Sequence, residues 1–216
     1  MEIEVARENM LRKQIREGFV TDEKIIDVFS KVPREQFVPE HYRECAFADM
    51  QIAIGNGQIM LTPNEEAKIL QALNIKATDS ILEIGTGTGY LTAVLANLGR
   101  RVDSIDYFES FVNLSKRKLS TMGIENVDIM QQDANQDFLH SSYDIIVMTS
   151  SVIKLAKKFL QHLNLGGRLF TIIGQVPAMK AMIFTHTKKG TWIEHCIFET
   201  VVPELINAPK PEAFVF

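Results

Sequence analysis

Ten consecutive residues, Ile81-Leu82-Glu83-Ile84-Gly85-Thr86-Gly87-Thr88-Gly89-Tyr90, constrain the fold of this chain more than any others. A short apolar run carries one acidic residue, glycines follow at every second position, and an apolar stretch from Leu91 to Leu98 comes next. That order is a buried strand, a tight turn and a helix N-terminus, a junction whose backbone can approach a ligand closely. The pattern beyond it agrees. Strands are expected at 80–85, 101–106, 127–131, 143–149 and 167–174, and helices at 89–98, 108–122 and 152–163. Runs such as Ile145-Ile146-Val147-Met148 are continuously apolar, as a parallel sheet covered on both faces requires. The expected fold class is α/β, with a doubly wound, mostly parallel, Rossmann-like sheet.

The flanking segments read differently. Apolar residues near helical spacing predict a helix over 6–17. Thr21 is expected to cap a second helix running to about Val32, with Pro33 ending it. Residues 34–61 look irregular, with a turn at Gly55-Asn56-Gly57, and Thr62-Pro63-Asn64-Glu65 is a capping-box start for a helix from Pro63 to about Leu73. Asn164-Leu165-Gly166-Gly167 reads as a helix exit through glycine. A hairpin is expected from Met182–Thr187 and Trp192–Val202 around Lys189-Gly190. We expect one domain over 1–216: an N-terminal helical cap and acceptor-side loop over 1–78, and a core with a C-terminal antiparallel hairpin over 79–216.

A formal net charge of −4 over 216 residues argues against a general nucleic-acid or membrane-surface binder. No apolar run approaches the ~20 residues that span a bilayer, and the first residues lack the plan of a signal peptide. A cytoplasmic monomer is expected, with Cys45 and Cys196 as buried thiols. His41, His140, His162, His186 and His195 have no ligand spacing, so no metal site is expected. Lys116-Arg117-Lys118 reads as a solvated helix face, and Trp192, Phe198, Phe214 and Phe216 as packing at the sheet edge.

A nicotinamide fingerprint would be GxGxxG, but here the third glycine comes one residue early, and that spacing counts against a dehydrogenase. Asp106 ends the next strand about 20 residues on, placed to accept from ribose hydroxyls, and Asp133 follows the third strand at the same sheet edge. Glu83 could cap a strand and the glycines form a plain turn. A run of carboxylates at the carboxyl ends of successive strands fits a ligand site better. Asp144, opening a strand, could also approach the ligand or be structural.

The combination resembles the class I S-adenosylmethionine-dependent methyltransferases. The resemblance implies S-adenosylmethionine as cofactor, held by Glu83, Gly85, Thr86, Gly87, Gly89, Asp106, Tyr107, Asp133 and Ala134. Glu83 would offset the cofactor's α-ammonium. Gln14-Ile15-Arg16, Val32-Pro33-Arg34-x-x-Phe37-Val38-Pro39, Ala46-Phe47-x-Asp49 and Ile54-Gly55-x-Gly57-Gln58 precede the glycine loop in that order. Together they resemble the protein-L-isoaspartate O-methyltransferase family, and the tail from Pro209 is similar to a divergent bacterial branch of it. The resemblance implies methylation of the free α-carboxylate of an isoaspartyl residue in protein or peptide. An acceptor with a pKa near ~4 is already ionised at neutral pH and needs no general base. Positioning and charge matching would carry the chemistry. On the acceptor side the resemblance implies Ile54, Gly55, Gln58, Ile59, Leu61 and Val202, with Thr62 and Asp49 as candidate catalytic residues.

The chain departs from the family at two points. Ile59-Met60-Leu61 stands where members carry Thr-Ile-Ser, whose hydroxyls help hold the acceptor, and Glu204 replaces a leucine beside the peptide. Losing a donor to a charged acceptor costs ~1.5–3 kcal/mol, so weak isoaspartyl turnover is expected. Transfer to a less charged acceptor and a non-catalytic cofactor-binding role are the alternatives.

Overall fold

The computed structural model describes residues 3–137, 141–188 and 190–209; His140, Phe214 and Phe216, and all of the tail beyond Pro209, lie outside the described residues. Helix α1 (Ile3–Asn9) continues into a π-helical stretch, Met10–Arg16, that buries Met10, Leu11 and Ile15. Helix α2 (Glu23–Lys31) turns Ile25, Ile26, Val28 and Phe29 inward. Its cap is Asp22, not Thr21. The Asp22 carboxylate accepts from the Lys24 N–H at 2.9 Å, while the Thr21 N–H is drawn to Gln71 Oε1 at 2.8 Å. An anion one residue later suits the positive helix end better than a hydroxyl. Helix α3 (Pro63–Leu73) starts with the expected capping box of Thr62 and Glu65.

Between α2 and α3 the segment is less irregular than its sequence suggests. Two short 3₁₀ turns, Arg34–Gln36 and Glu40–Cys45, lead into a hairpin of β1 (Ile52–Gly55) and β2 (Gln58–Met60). Gly55, Asn56 and Gly57 all have positive φ, which is why two glycines and an asparagine occupy the turn.

The core is β3 (Ser80–Ile84), α4 (Tyr90–Leu98), β4 (Arg101–Asp106), α5 (Glu109–Thr121), β5 (Val127–Gln131), β6 (Tyr143–Val152), α6 (Lys157–Gln161), β7 (Leu163–Gln175), β8 (Ala178–Lys188) and β9 (Thr191–Thr200). The strand order is β5-β4-β3-β6-β7-β8-β9. The first five strands run parallel, and β8 and β9 add antiparallel at the edge. Consecutive strand residues divide between two cores: Ile81, Ile145 and Val147 on one face, Leu82, Ile146 and Met148 on the other. Burial on both faces is what the continuous apolar runs encode. The chain moves outward from β3 to β5 and returns to β6 on the other side of β3. The crevice between β3 and β6 is therefore the topological switch point, where open α/β sheets bind ligands.

Three expectations need correction. The helix expected at 152–163 is only Lys157–Gln161, because β6 runs on to Val152. The C-terminal segment supplies the pairing that extends it: the Ser151 N–H donates to Pro203 O at 2.9 Å and the Leu205 N–H to Ser151 O at 2.8 Å. Asn164 to Gly167 is the start of β7 rather than a helix exit. The thiols are not both buried either, since Cys45 is half-buried and Cys196 is exposed on the edge strand. Trp192 and Phe198 do pack against the cores as edge residues. Among the described residues, no helix is long and apolar enough to cross a membrane.

Candidate active site

A cleft with about 650 Å³ of open space lies beyond the carboxyl ends of β3, β4, β5 and β6. Gly85 and Gly87 form its floor, Asp106 and Tyr107 one wall, and Asp133 and Ala134 the next. Asp106 closes the glycine loop onto its own strand. Its Oδ2 accepts from the Gly87 N–H at 2.8 Å and its Oδ1 from the Phe108 N–H at 2.9 Å. Burial raises its pKa, and the amides of Gly87, Phe108 and Tyr107 pull it back. Each oxygen keeps a lone pair for a ligand hydroxyl.

The glycines are required by contact as well as by conformation. Gly85 has φ +99°, and a Cβ there would stand 2.7 Å from Thr149 Oγ1. Gly89, at φ +88°, precedes α4 and would press a Cβ to 3.0 Å from Ser115. Asp133 is held by Asn135 (N–H, 2.8 Å) and by the Asn207 side-chain amide at 2.9 Å. Partial burial works against its charge, but these donors and the Lys158 charge together leave its pKa lowered.

Glu83 is not on the wall of the cleft. It is fully buried, and its Oε2 accepts from Thr92 Oγ1 at 2.5 Å and Ser104 Oγ at 2.6 Å. Ser104 also bonds Thr86 Oγ1 of the glycine loop at 2.6 Å. Glu83 Oε1 is buried without a partner. Burial pushes its pKa up to about 8, against the pull of the two hydroxyls and with the push of the Asp106 and Glu66 charges. Its side chain ties β3, β4, α4 and the loop together. The expectation that it offsets an ammonium ion is narrowed by position: the carboxyl lies behind the glycine loop and not on the cleft wall, so it does not face a ligand directly. Asp144 is likewise structural, holding Ser80 and Asn164 at the far end of β6.

The acceptor-side residues divide. Ile54, Gln58 and Ile59 line the cleft. Leu61 faces an adjoining space of about 350 Å³ that shares Ile54, Ile59, Gly85, Gly87 and Thr149 with it. Gly55 serves the β1–β2 turn. Val202 is buried, its N–H on Met179 Sδ, and does not line the cleft, because the chain turns inward to reach Ser151. Thr62 spends its oxygen on the Glu65 N–H at 3.1 Å, and exposed Asp49 accepts from the Asn64 N–H at 3.3 Å. Both sit at the start of α3 and neither lines the cleft or the adjoining space.

Other residues of the site carry no motif. Phe108, Phe111, Gln132, Thr149, Ser150 and Leu205 all line the cleft. Position in the sequence signals only two of them, Phe108 and Gln132, which fall just past the carboxyl ends of β4 and β5. Arg34, part of the Val32-Pro33-Arg34 string, lies behind the site rather than on its lining. It is buried with its Nε on Ala46 O at 2.9 Å, Nη2 on Leu61 O at 2.5 Å, Nη1 on Glu66, and its plane 4.7 Å from the Tyr90 ring. Burial raises the pKa of Glu66 to about 7 even beside this cation. The backbone of the 59–61 loop is thus pinned from behind.

Comparison with known proteins agrees with this geometry. The model of the family described as Protein-L-isoaspartate(D-aspartate) O-methyltransferase matches residues 5–203. The chain is 32% identical over 200 residues to a protein-L-isoaspartate O-methyltransferase of Synechococcus, covering 89% of this chain and 82% of that one. It is 37% identical over 169 residues to the one of Methanospirillum hungatei, covering 78% of each. In fold it is similar to a candidate protein-L-isoaspartate O-methyltransferase of Plasmodium falciparum, solved with S-adenosyl-L-homocysteine. The TM-score is 0.78 at 20% identity, over 91% of this chain and 96% of that one.

Proposed function

The chain belongs to the protein-L-isoaspartate O-methyltransferase family, and from that premise we propose that it methylates the free α-carboxylate of isoaspartyl residues in proteins and peptides. It is an S-adenosylmethionine-dependent methyltransferase. The observation that carries this reading is the glycine loop, clamped by Asp106 and opening at the switch point onto a cleft with a second carboxylate, Asp133.

The residues present fit the cofactor. The φ +99° cradle at Gly85 leaves no room for a Cβ, so backbone alone meets the ligand there. Asp106 would hold the ribose hydroxyls and Asp133 the adenine side, with Tyr107 and Ala134 as apolar walls. S-adenosylmethionine supplies a methyl group made electrophilic by its sulfonium charge. The protein's part is to orient and to exclude water. Among the described residues the cleft lining includes no histidine, and none is needed for an acceptor that is already an anion. Ile54, Gln58 and Ile59 border the acceptor side.

Two measurements test the reading. Calorimetry with S-adenosylhomocysteine should give saturable binding, and methyl transfer should favour an isoaspartyl peptide over its aspartyl twin. An absence of heat at high ligand concentration would remove the enzyme reading. Binding without isoaspartyl preference would move it to another acceptor, one suited to the apolar Ile59 and Leu61.

A further inference from the structure

Neighbouring residues of a regular strand point to opposite faces of the sheet. Thr149 and Ser150 are neighbours in β6, yet both line the cleft. The register explains this. Val147 pairs with Phe170 and Ser151 with Ile172, so four steps along β6 face two along β7. The extra residues form a bulge, a device that re-aims side chains beside ligand sites.

The bulge places two under-used hydroxyl residues at the cleft. Ser150 Oγ is buried and has no hydrogen-bond partner. Thr149 Oγ1 has only long contacts, 3.5 Å to Ile84 O and 3.4 Å to Gly85 O, and it stands against the glycine loop at Gly85. A buried hydroxyl without a partner is costly unless a ligand atom completes it. The side chains of Ile59, on the cleft, and of Leu61, on the adjoining space, cannot donate. Glu204 also lines the cleft, so an entering carboxylate meets an anion and needs uncharged donors to offset it.

We propose that Ser150, assisted by Thr149, supplies the hydroxyl donors for the acceptor carboxylate, so that the grip on the acceptor comes from the β6 bulge and not from the 59–61 loop. The proposal rests on the isoaspartyl reading above, and it replaces the weak turnover expected from Leu61 with turnover supported from the other wall.

The test uses the full chain saturated with S-adenosylhomocysteine and titrated calorimetrically with an isoaspartyl peptide, alongside steady-state kinetics with S-adenosylmethionine. Ser150→Ala should raise both the peptide Kd and KM about tenfold, the scale of one hydrogen bond to a charged group. Its kcat, S-adenosylhomocysteine affinity and Tm should stay close to those of the parent. Thr149→Val should give a smaller loss of the same kind. Ile59→Thr placed in the Ser150→Ala background should recover peptide affinity by returning a hydroxyl to the opposite wall. Unchanged peptide Kd and KM in both variants, with the parent active, would overturn the proposal and leave the methyltransferase reading intact. Equal losses of Tm and S-adenosylhomocysteine affinity would make Ser150 a structural residue and overturn it too. A parent that binds S-adenosylhomocysteine but neither binds nor methylates the peptide would remove the isoaspartyl reading, and the proposal with it.

Discussion

Replacing Glu83 with glutamine separates the two roles a carboxyl beside a glycine loop could have. In the folded protein its pKa is pushed up to about 8 from an ordinary 4.5, chiefly by burial. A raised folded-state pKa means that the stabilising contribution is complete below pH ~4.5 and is lost as pH rises through about 8. Between pH 7 and pH 9 the native state gives up a proton that the unfolded chain has already lost. At ~1.4 kcal/mol per proton and pH unit, that interval costs the parent about 1–2 kcal/mol. Glu83→Gln keeps an acceptor for Thr92 and Ser104 and has nothing to titrate. Denaturant unfolding of both proteins at pH 6, 7, 8 and 9 should therefore show a stability difference that moves in the variant's favour by about 2–3 kcal/mol from pH 6 to pH 9, steepest below pH 8 and level above it. Glu66 also titrates, at about 7, but in both proteins. S-adenosylhomocysteine affinity at pH 7 should change by less than about threefold, since the side chain is not on the cleft wall. Parallel curves, or a glutamine variant that falls away faster at high pH, would show that Glu83 is ionised at neutral pH and that the reasoning from its burial is wrong.

The remaining predictions concern the cleft and its border. Asp106→Ala should weaken S-adenosylhomocysteine binding at least about tenfold, because it removes a charged acceptor and frees the Gly87 and Phe108 amides; unchanged affinity in calorimetry would remove Asp106 from the site. Thr62→Ala should lower stability by about 1 kcal/mol, or roughly 2–4 °C in Tm, while kcat/KM for the peptide stays within about threefold. A tenfold kinetic loss at unchanged Tm would instead make Thr62 an acceptor donor.

Much of the fold was legible because local and global signals coincide in it. The 81–90 junction, the apolar run 145–148 and the capping box at Thr62 each dictate their own structure. What escaped depends on partners distant in sequence. Ser151 extends β6 because Pro203 and Leu205 bond to it, and nothing in residues 150–155 announces that pairing. Asp22 takes the cap from Thr21 because Gln71, on another helix, holds the Thr21 amide. The site divides the same way. Asp106 and Asp133 follow from strand ends and loop spacing. For Glu83, spacing gives the position along the strand but not the depth at which Thr92 and Ser104 enclose it. Thr149 and Ser150 were missed because a bulge breaks the alternation that a sequence reading assumes.

The Arg34 contacts bear on how such a chain can change over time. The loop from Ile59 to Leu61 is fixed through the Leu61 carbonyl, and Arg34 is itself fixed by Ala46 O and Glu66. None of these contacts uses a side chain of the loop. Its residues can therefore be exchanged, hydroxyl for hydrocarbon, without dismantling the backbone path past the glycine loop. Acceptor preference becomes a separately mutable trait, while the cofactor half of the cleft and the helical cap stay under their own constraints. A change at Arg34 would lack that freedom, because it would disturb every segment the guanidinium joins.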